Sequence, residues 1–160
     1  MARFEDLQVL KAAELIADLI WKRVVVWDQF ARDVVGKQLA TAVDSIGANI
    51  SESVGRYNFG EKLQFLYYAR GSLFESKFWL NRSRERGLMK SNEAQEYADS
   101  LTTLARQLNT FVSGLRTVRA EQPKAKTTAI RESAADYTVV SLEQIPDPLF
   151  SDEDLAFLAS

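Results

Sequence analysis

The sequence predicts an all-α fold, an antiparallel up-and-down four-helix bundle followed by an acidic C-terminal tail. Three observations predict it. Apolar residues recur at steps of three and four through four long stretches of the first 120 residues, the spacing of one helix face. Turn-forming residues separate several of those stretches, and short connections force neighbouring helices to run antiparallel. No strand-like alternation appears before residue 137. With 160 residues, 46% of them apolar and 26% charged, the chain suits one packed domain rather than a disordered one.

In the first stretch Val9, Ala13, Ile16, Ile20, Val24 and Trp27 share a face, and Lys11, Glu14, Asp18 and Lys22 fall largely opposite. Val35, Leu39, Val43, Ile46, Ile50 and Val54 repeat in the second, with Asp33 as its expected N-cap. Gly55-Arg56-Tyr57-Asn58-Phe59-Gly60 then predicts a stop and a turn. The third helix is expected from about Glu61 to Arg86, seamed by Leu66, Leu73 and Leu80 with Ala69 and Ser76 between them. Gly87 follows at the C′ position, where a left-handed backbone is needed. Gly71 inside that helix, and Gly47 in the second, predict close approach of another helix. Ser91 or Asn92 is expected to cap the fourth helix, whose seam is Tyr97, Leu101, Leu104, Leu108, Phe111, Leu115 and Val118.

Charge marks a boundary. Residues 1–120 carry 17 Lys/Arg against 14 Asp/Glu, a balance of +3, and residues 121–160 carry three against eight, a balance of −5. All three prolines fall in the second segment and all seven glycines in the first. The division expected is a bundle over 1–120, a spacer over 121–136 and a docking tail over 137–160. Within the tail Tyr137, Leu149, Phe150, Leu155, Phe157 and Leu158 are the partner-docking candidates, received either by the same bundle or by another protein. Ser151 can cap a short last helix with an acidic first turn, Asp152-Glu153-Asp154. That acidic end could also cover the Arg82–Lys90 patch and autoinhibit it.

Composition also excludes chemistry. With no cysteine and no histidine, disulfides, thiolate nucleophiles, Cys-based zinc sites and every His-dependent triad are absent. No catalytic residue, metal or cofactor is expected, and the chain reads as a non-enzyme. No run approaches the roughly 18 apolar residues of a membrane span, and Met1-Ala2-Arg3-Phe4-Glu5-Asp6 is not a signal peptide, so a cytoplasmic location is expected.

Two polar sets stand out. Asn49, Glu52, Arg70 and Glu75 form either a structural polar network between helices or, through the two glutamates, an acid pair. The bundle di-metal pattern requires Glu-x-x-His, so the network is the expected reading. The second set is Arg82, Arg84, Arg86 and Lys90, with Arg56 beside Tyr57 and Phe59. Clustered cations displace counterions from phosphates, and neighbouring aromatics suit single strands. The competing reading of the cluster is compensation of the helix dipole.

Ser45-Ile46-Gly47-Ala48-Asn49-Ile50-Ser51-Glu52-Ser53-Val54-Gly55-Arg56, then Phe65-Leu66-Tyr67-Tyr68-Ala69-Arg70-Gly71-Ser72-Leu73-Phe74-Glu75, carry more than periodicity. With Phe4-Glu5-Asp6-Leu7 and Gln38-Leu39, they resemble the four-helix bundle family of 23S rRNA intervening-sequence proteins and of accessory variability determinant proteins of diversity-generating retroelements. The resemblance covers about residues 3–119. It implies a homopentameric ring that binds nucleic acid and a reverse transcriptase without catalysis of its own. The chain departs from the pattern at Ala40 and Thr41, where relatives carry one or two arginines, and at Gly47 and Ser53, which replace a proline and a glycine. The expected function is an oligomeric adaptor for RNA or DNA, without sequence specificity, or for an enzyme acting on them. Its alternative is a scaffold recruiting a partner through its tail with little nucleic-acid affinity. Trp21, Val25, Val26, Phe65, Tyr68, Phe74, Phe78 and Trp79 lie off or beside the inner seams and motivate self-association.

Overall fold

A computed structural model describes residues 7–122 and 141–160. Tyr137 and residues 123–136 of the expected spacer lie outside them, as do Phe4, Glu5 and Asp6. The described residues are helical, with no strand among them. Helix α1 spans Gln8–Val24. A single turn, α2 (Gln29–Ala31), continues through a π-helical segment, Arg32–Gly36, into α3 (Lys37–Gly55). Next come α4 (Phe59–Glu85), α5 (Ser91–Glu121) and a short α6 (Asp152–Ala159). Helix α3 packs on α1 and α4, α5 packs on α4 and α1, and α6 lies on α5.

The periodic seams form the core. Val9, Ala13, Ile16, Ile20, Val24 and Trp27 are all buried, as are Val35, Leu39, Val43, Ile46 and Ile50, and Leu66, Leu73 and Leu80. The fourth seam drifts. Leu101, Leu104 and Leu108 are buried together with Ala94, Ala98, Thr102, Ala105 and Val112, whereas Phe111 and Leu115 are half-buried and Val118 is exposed. A straight helix turns about 20° per heptad away from a strict seven-residue repeat. The buried face of α5 has therefore moved from Phe111 to Val112 by its C-terminal third.

The boundaries correct three expectations. Asp33 lies within the π-helical segment and caps nothing; Asp28 is the cap, its Oδ1 accepting the Ala31 N–H at 3.0 Å. Five residues earlier than expected, the chain re-enters helix directly after the buried Trp27. Neither Ser91 nor Asn92 caps α5; the N-cap is Lys90, with no side-chain bond, and Ser91 is already helical. Gly71, expected at a close helix approach, has open space where a Cβ would sit. Gly47 does face α1, with Ala13 Cβ and Leu10 Cδ1 at 3.8 and 3.9 Å from a Cβ built there.

Gly87 behaves as its position demands. At φ +71° it follows the C-cap Arg86; its N–H bonds the Arg84 carbonyl at 3.0 Å and the Leu88 N–H bonds the Ser83 carbonyl at 2.9 Å. That pair is a Schellman stop, which turns the chain out of α4. Gly36 is the tightest point in the fold. A Cβ there would meet Val24 Cγ1 at 2.5 Å and the Trp27 ring at 3.3 Å, and the valine is stiff at χ1.

Two glycine substitutions should therefore move stability in opposite directions. Gly36→Ala overpacks the α1–α3 corner and should cost about 1–3 kcal/mol. Gly71→Ala meets no atom and gains helix propensity, so it should stabilise by about 0.5–1 kcal/mol. Urea unfolding of each variant against the parent chain checks both signs.

Candidate functional site

The expected polar network separates into independent parts. The Asn49 amide donates to the Ser45 carbonyl at 2.9 Å and reaches Ser72 Oγ at 3.4 Å, linking α3 to α4. Glu52 is taken by Arg56, one turn along, in an exposed ion pair. Glu75 is exposed beside Gly71 on the rim of an open hollow of about 470 Å³ and takes no partner among the described residues. Arg70 faces the tail instead. Among the described residues no three acidic side chains converge as a metal-ligand set.

Arg70 organises the side of α4 that the core leaves open. Its Nε donates to the Leu149 carbonyl at 2.8 Å and its Nη2 reaches the Asp154 carboxylate at 3.2 Å. The guanidinium lies over Phe74, 4.7 Å from the ring centroid, with Phe150 at 5.8 Å and Tyr67 at 6.0 Å. Phe74 stacks against both Phe150 and Phe157, each at 6.0 Å. On α5 the Asn109 side chain reads the backbone of Phe150 in both directions, accepting its N–H and donating to its carbonyl, each at 2.8 Å. Gln95 donates to the Ala159 carbonyl at 2.8 Å. At the near end Arg116 meets Asp147 at only 3.7 Å, with Nε and Nη2 unbonded. The docking is therefore anchored over residues 149–159.

Four of the proposed partner-docking residues, Leu149, Phe150, Leu155 and Leu158, are buried against the chain's own helices, joined by Ile145. Each such burial is worth roughly 1.5–3 kcal/mol relative to exposure. Phe157 is half covered, 49% exposed, and rests on Phe74. Of the two receivers considered, the bundle itself takes the segment. Asp154 of the acidic end meets Arg70 rather than the Arg82–Lys90 patch, and Arg70 lies on the aromatic shelf that also buries Phe150. Ser151 caps α6 as expected, in a reciprocal capping box with Asp154.

The basic set is also divided. Helix α4 has 27 residues and spans about 40 Å at 1.5 Å per residue. Arg56 stands before its start, over the Phe65 ring, and Arg82, Arg84 and Arg86 stand at its end. Arg56 thus belongs to the opposite end of the molecule from the cluster. Arg82 lies 6.0 Å from the Phe78 ring, Arg84 pairs with Glu85, and Arg86 and Lys90 are exposed. Sequence reasoning missed the rest of this end. Arg23 on α1 bonds Glu93 and the Leu88 carbonyl, which brings the α1–α2 corner, with exposed Lys22 and Arg32, beside the α4–α5 turn. Trp21, Val26, Phe30 and Phe78 are exposed large apolar residues, Phe30 to 77%. Periodicity gave no sign of the corner, because its residues come from two stretches that only tertiary packing joins.

Lys77 also escaped notice. It is 1% exposed within α4, and burial, then Arg84, lower its pKa, with Asp99 acting against them.

The family model described as 23S rRNA-intervening sequence protein matches residues 5–110, well over half of the chain. The chain belongs to this family. No curated protein matches it. The family match takes in Arg70 and Asn109 and ends before the segment that docks on them. Among the described residues no helix is long and apolar enough to cross a membrane.

The Arg70–Asp154 contact has a pH signature. Burial alone raises the Asp154 pKa, but the Ser151 backbone N–H and the Arg70 bond and charge outweigh it, leaving the carboxyl below its ordinary 3.8. A depressed folded pKa means stabilisation present above the unfolded value and lost as pH falls through the folded one. Amide protection across 145–158, taken relative to the intrinsic exchange rate at each pH, should therefore fall below about pH 4, ahead of the α3 core. Asp154→Asn should already exchange fast at pH 7 and lose that acid step.

Proposed function

We propose that this protein is a non-enzymatic, cytoplasmic adaptor that self-associates and holds RNA or DNA, or an enzyme working on them such as a reverse transcriptase, at its basic end. The architecture in this reading is an antiparallel up-and-down four-helix bundle. The three residues between α3 and α4 and the five between α4 and α5 support that arrangement, since connections so short reverse the chain. The pentameric ring and the retroelement association rest on the resemblance.

One observation carries the nucleic-acid reading. Arg82, Arg86 and Lys90 share one end of the molecule with Lys22 and Arg32, and the exposed rings of Trp21, Phe30 and Phe78 neighbour Lys22, Arg32 and Arg82 along the chain. Cations contact phosphates and exposed rings accept unstacked bases, a combination suited to single strands without sequence preference. Within the described part of the tail, Asp154 is engaged at Arg70 and not at this end. The alternative scaffold, recruiting through the tail, has less support, because Leu149, Phe150, Leu155 and Leu158 are already buried within the chain. Self-association is supported by Leu15, Val25, Val26 and Val34, exposed along α1 and the corner after it, where contact with a second copy would take apolar surface out of water.

Replacing Arg82, Arg84 and Arg86 by alanine should weaken binding to unrelated single-stranded RNAs alike. The slope of log K against log salt should fall by about 2, from three lost phosphate contacts at about 0.7 each. Unchanged affinity or slope removes the site from this end. Light scattering of the purified chain should give a mass several times 18.1 kDa; a stable single-chain mass at micromolar concentration ends the oligomer.

A further inference from the structure

The two stretches that resemble the family pattern, around Asn49 and from Arg70 to Glu75, converge on the open hollow of about 470 Å³ between α3 and α4. Asn49 and Ser72 are tied to each other there, and Arg70 is tied to the tail. Gly71 and Glu75 have no such use. Glycine inside a helix weakens it relative to alanine, yet no neighbouring helix comes within 4 Å of a Cβ built at Gly71. Glu75, one turn along, is exposed and takes no partner among the described residues. Tyr68, one turn back, is 40% exposed. At steps of three and four these residues form an outward row on α4, turned away from the seam of Leu66, Leu73 and Leu80.

The opposite corner of the bundle carries a complementary row. Helices α1 and α4 each pack on α3 and on α5, which places them across the bundle from one another. On α1, Lys11, Leu15, Leu19 and Lys22 recur at helical steps on the face away from Ile16, Ile20 and Val24. All four are exposed, Leu15 to 62%. Glu14 and Asp18 lie to one side of that row, in a separate hollow shared with α3. An apolar pair with a lysine at each end therefore faces outward on α1, and a hollow edged by a carboxylate faces outward on α4.

We infer that the α3/α4 hollow receives the outer face of α1 from a second copy, with Leu15 and Leu19 over Gly71 and a flanking lysine on Glu75. The inference rests on the self-association proposed above and names the two surfaces that make it. Because those surfaces differ and lie on opposite sides of one chain, the contact is head-to-tail, and such contacts close into a ring or run on as a filament. Gly71 then has a use that nothing within the chain supplies, since a side chain there would fill the space the leucines enter.

Head-to-tail contact can be tested by mixing. Gly71→Lys fills the hollow and offers Glu75 a partner one turn away, and Gly71→Gln fills it without charge. Leu15→Glu together with Leu19→Glu places acids on the α1 face. All three positions are exposed, so thermal unfolding should show every variant folded. In sedimentation at micromolar concentration, each variant alone should fall from the parent's mass to that of one chain. A Gly71 variant mixed in equal amount with the leucine variant should form a pair of two chains, because the mixture retains one intact hollow and one intact α1 face. Gly71→Lys or Gly71→Gln chains that keep the parent's mass overturn the inference, since the hollow then lies outside the contact. A mixture that stays single-chain overturns it too, since α1 is then not what fills the hollow. A parent chain that is itself single removes the self-association as well, so the two failures are told apart.

Discussion

The constraint on which the rest of the structure depends is that α4 is apolar on more than one side. Leu63, Leu66, Ala69, Leu73 and Leu80 fill the core seam, while Phe65, Tyr67, Phe74 and Trp79 stand off it and pack partly buried. A helix with one apolar stripe is satisfied by neighbours on one flank. Helix α4 needs cover on a second. Helices α3 and α5 supply the first flank and the C-terminal segment supplies part of the second, where Phe150 and Phe157 stack on Phe74. Arg70 fits the same logic: a cation half-buried among rings gains cation–π contact and a carboxylate that water screens weakly. What that segment leaves uncovered on α4, chiefly Tyr68 and Phe78, remains exposed.

Helix periods were legible in the sequence because each seam is built from bulky aliphatic residues at helical steps, and the stop at Gly87 because one backbone geometry demands glycine. The corner between α1 and α3 was not. Asp33 and Asp28 are equally good caps by residue type, and the choice is made by Trp27, which buries itself after α1 has ended and fixes where the chain turns. The π-helical segment then shifts the phase so that Gly36, rather than a side chain, faces Val24. No local rule encodes that clash.

The grouping of the candidate residues in space was not legible. Arg56 and the Arg82–Lys90 set look alike in sequence, but a continuous helix of this length holds its ends apart, so proximity along the chain misleads wherever a long helix intervenes. Conversely Lys22 and Arg32 lie far from the cluster in sequence and share its end because Arg23 pins α1 to the α4–α5 turn. Asn49, Glu52, Arg70 and Glu75 were grouped by helical spacing alone. Asn49, Glu52 and Arg70 found partners within their own helix, across one helix boundary or on the tail, and Glu75 found none among the described residues; a carboxylate near the surface is held as well by a neighbour one turn away as by a distant arginine.

The tail resolves a conflict of charge that composition alone leaves open. An acidic segment on a chain with a basic end is drawn to that end by long-range attraction, yet the Debye length of about 8 Å in physiological salt erases most of it. Short-range chemistry then decides. Asp154 cannot wander, since its Oδ2 accepts the Ser151 N–H in the capping box while also facing Arg70. One carboxylate starts α6, orients it and locks it to α4. Bringing it to Arg82–Lys90 instead would uncover Leu149, Phe150, Leu155 and Leu158 and gain exposed ion pairs worth at most about 1 kcal/mol each. Apolar burial therefore fixes where residues 141–160 rest: the core of that segment, not its charge, chose the side of α4 that carries Arg70.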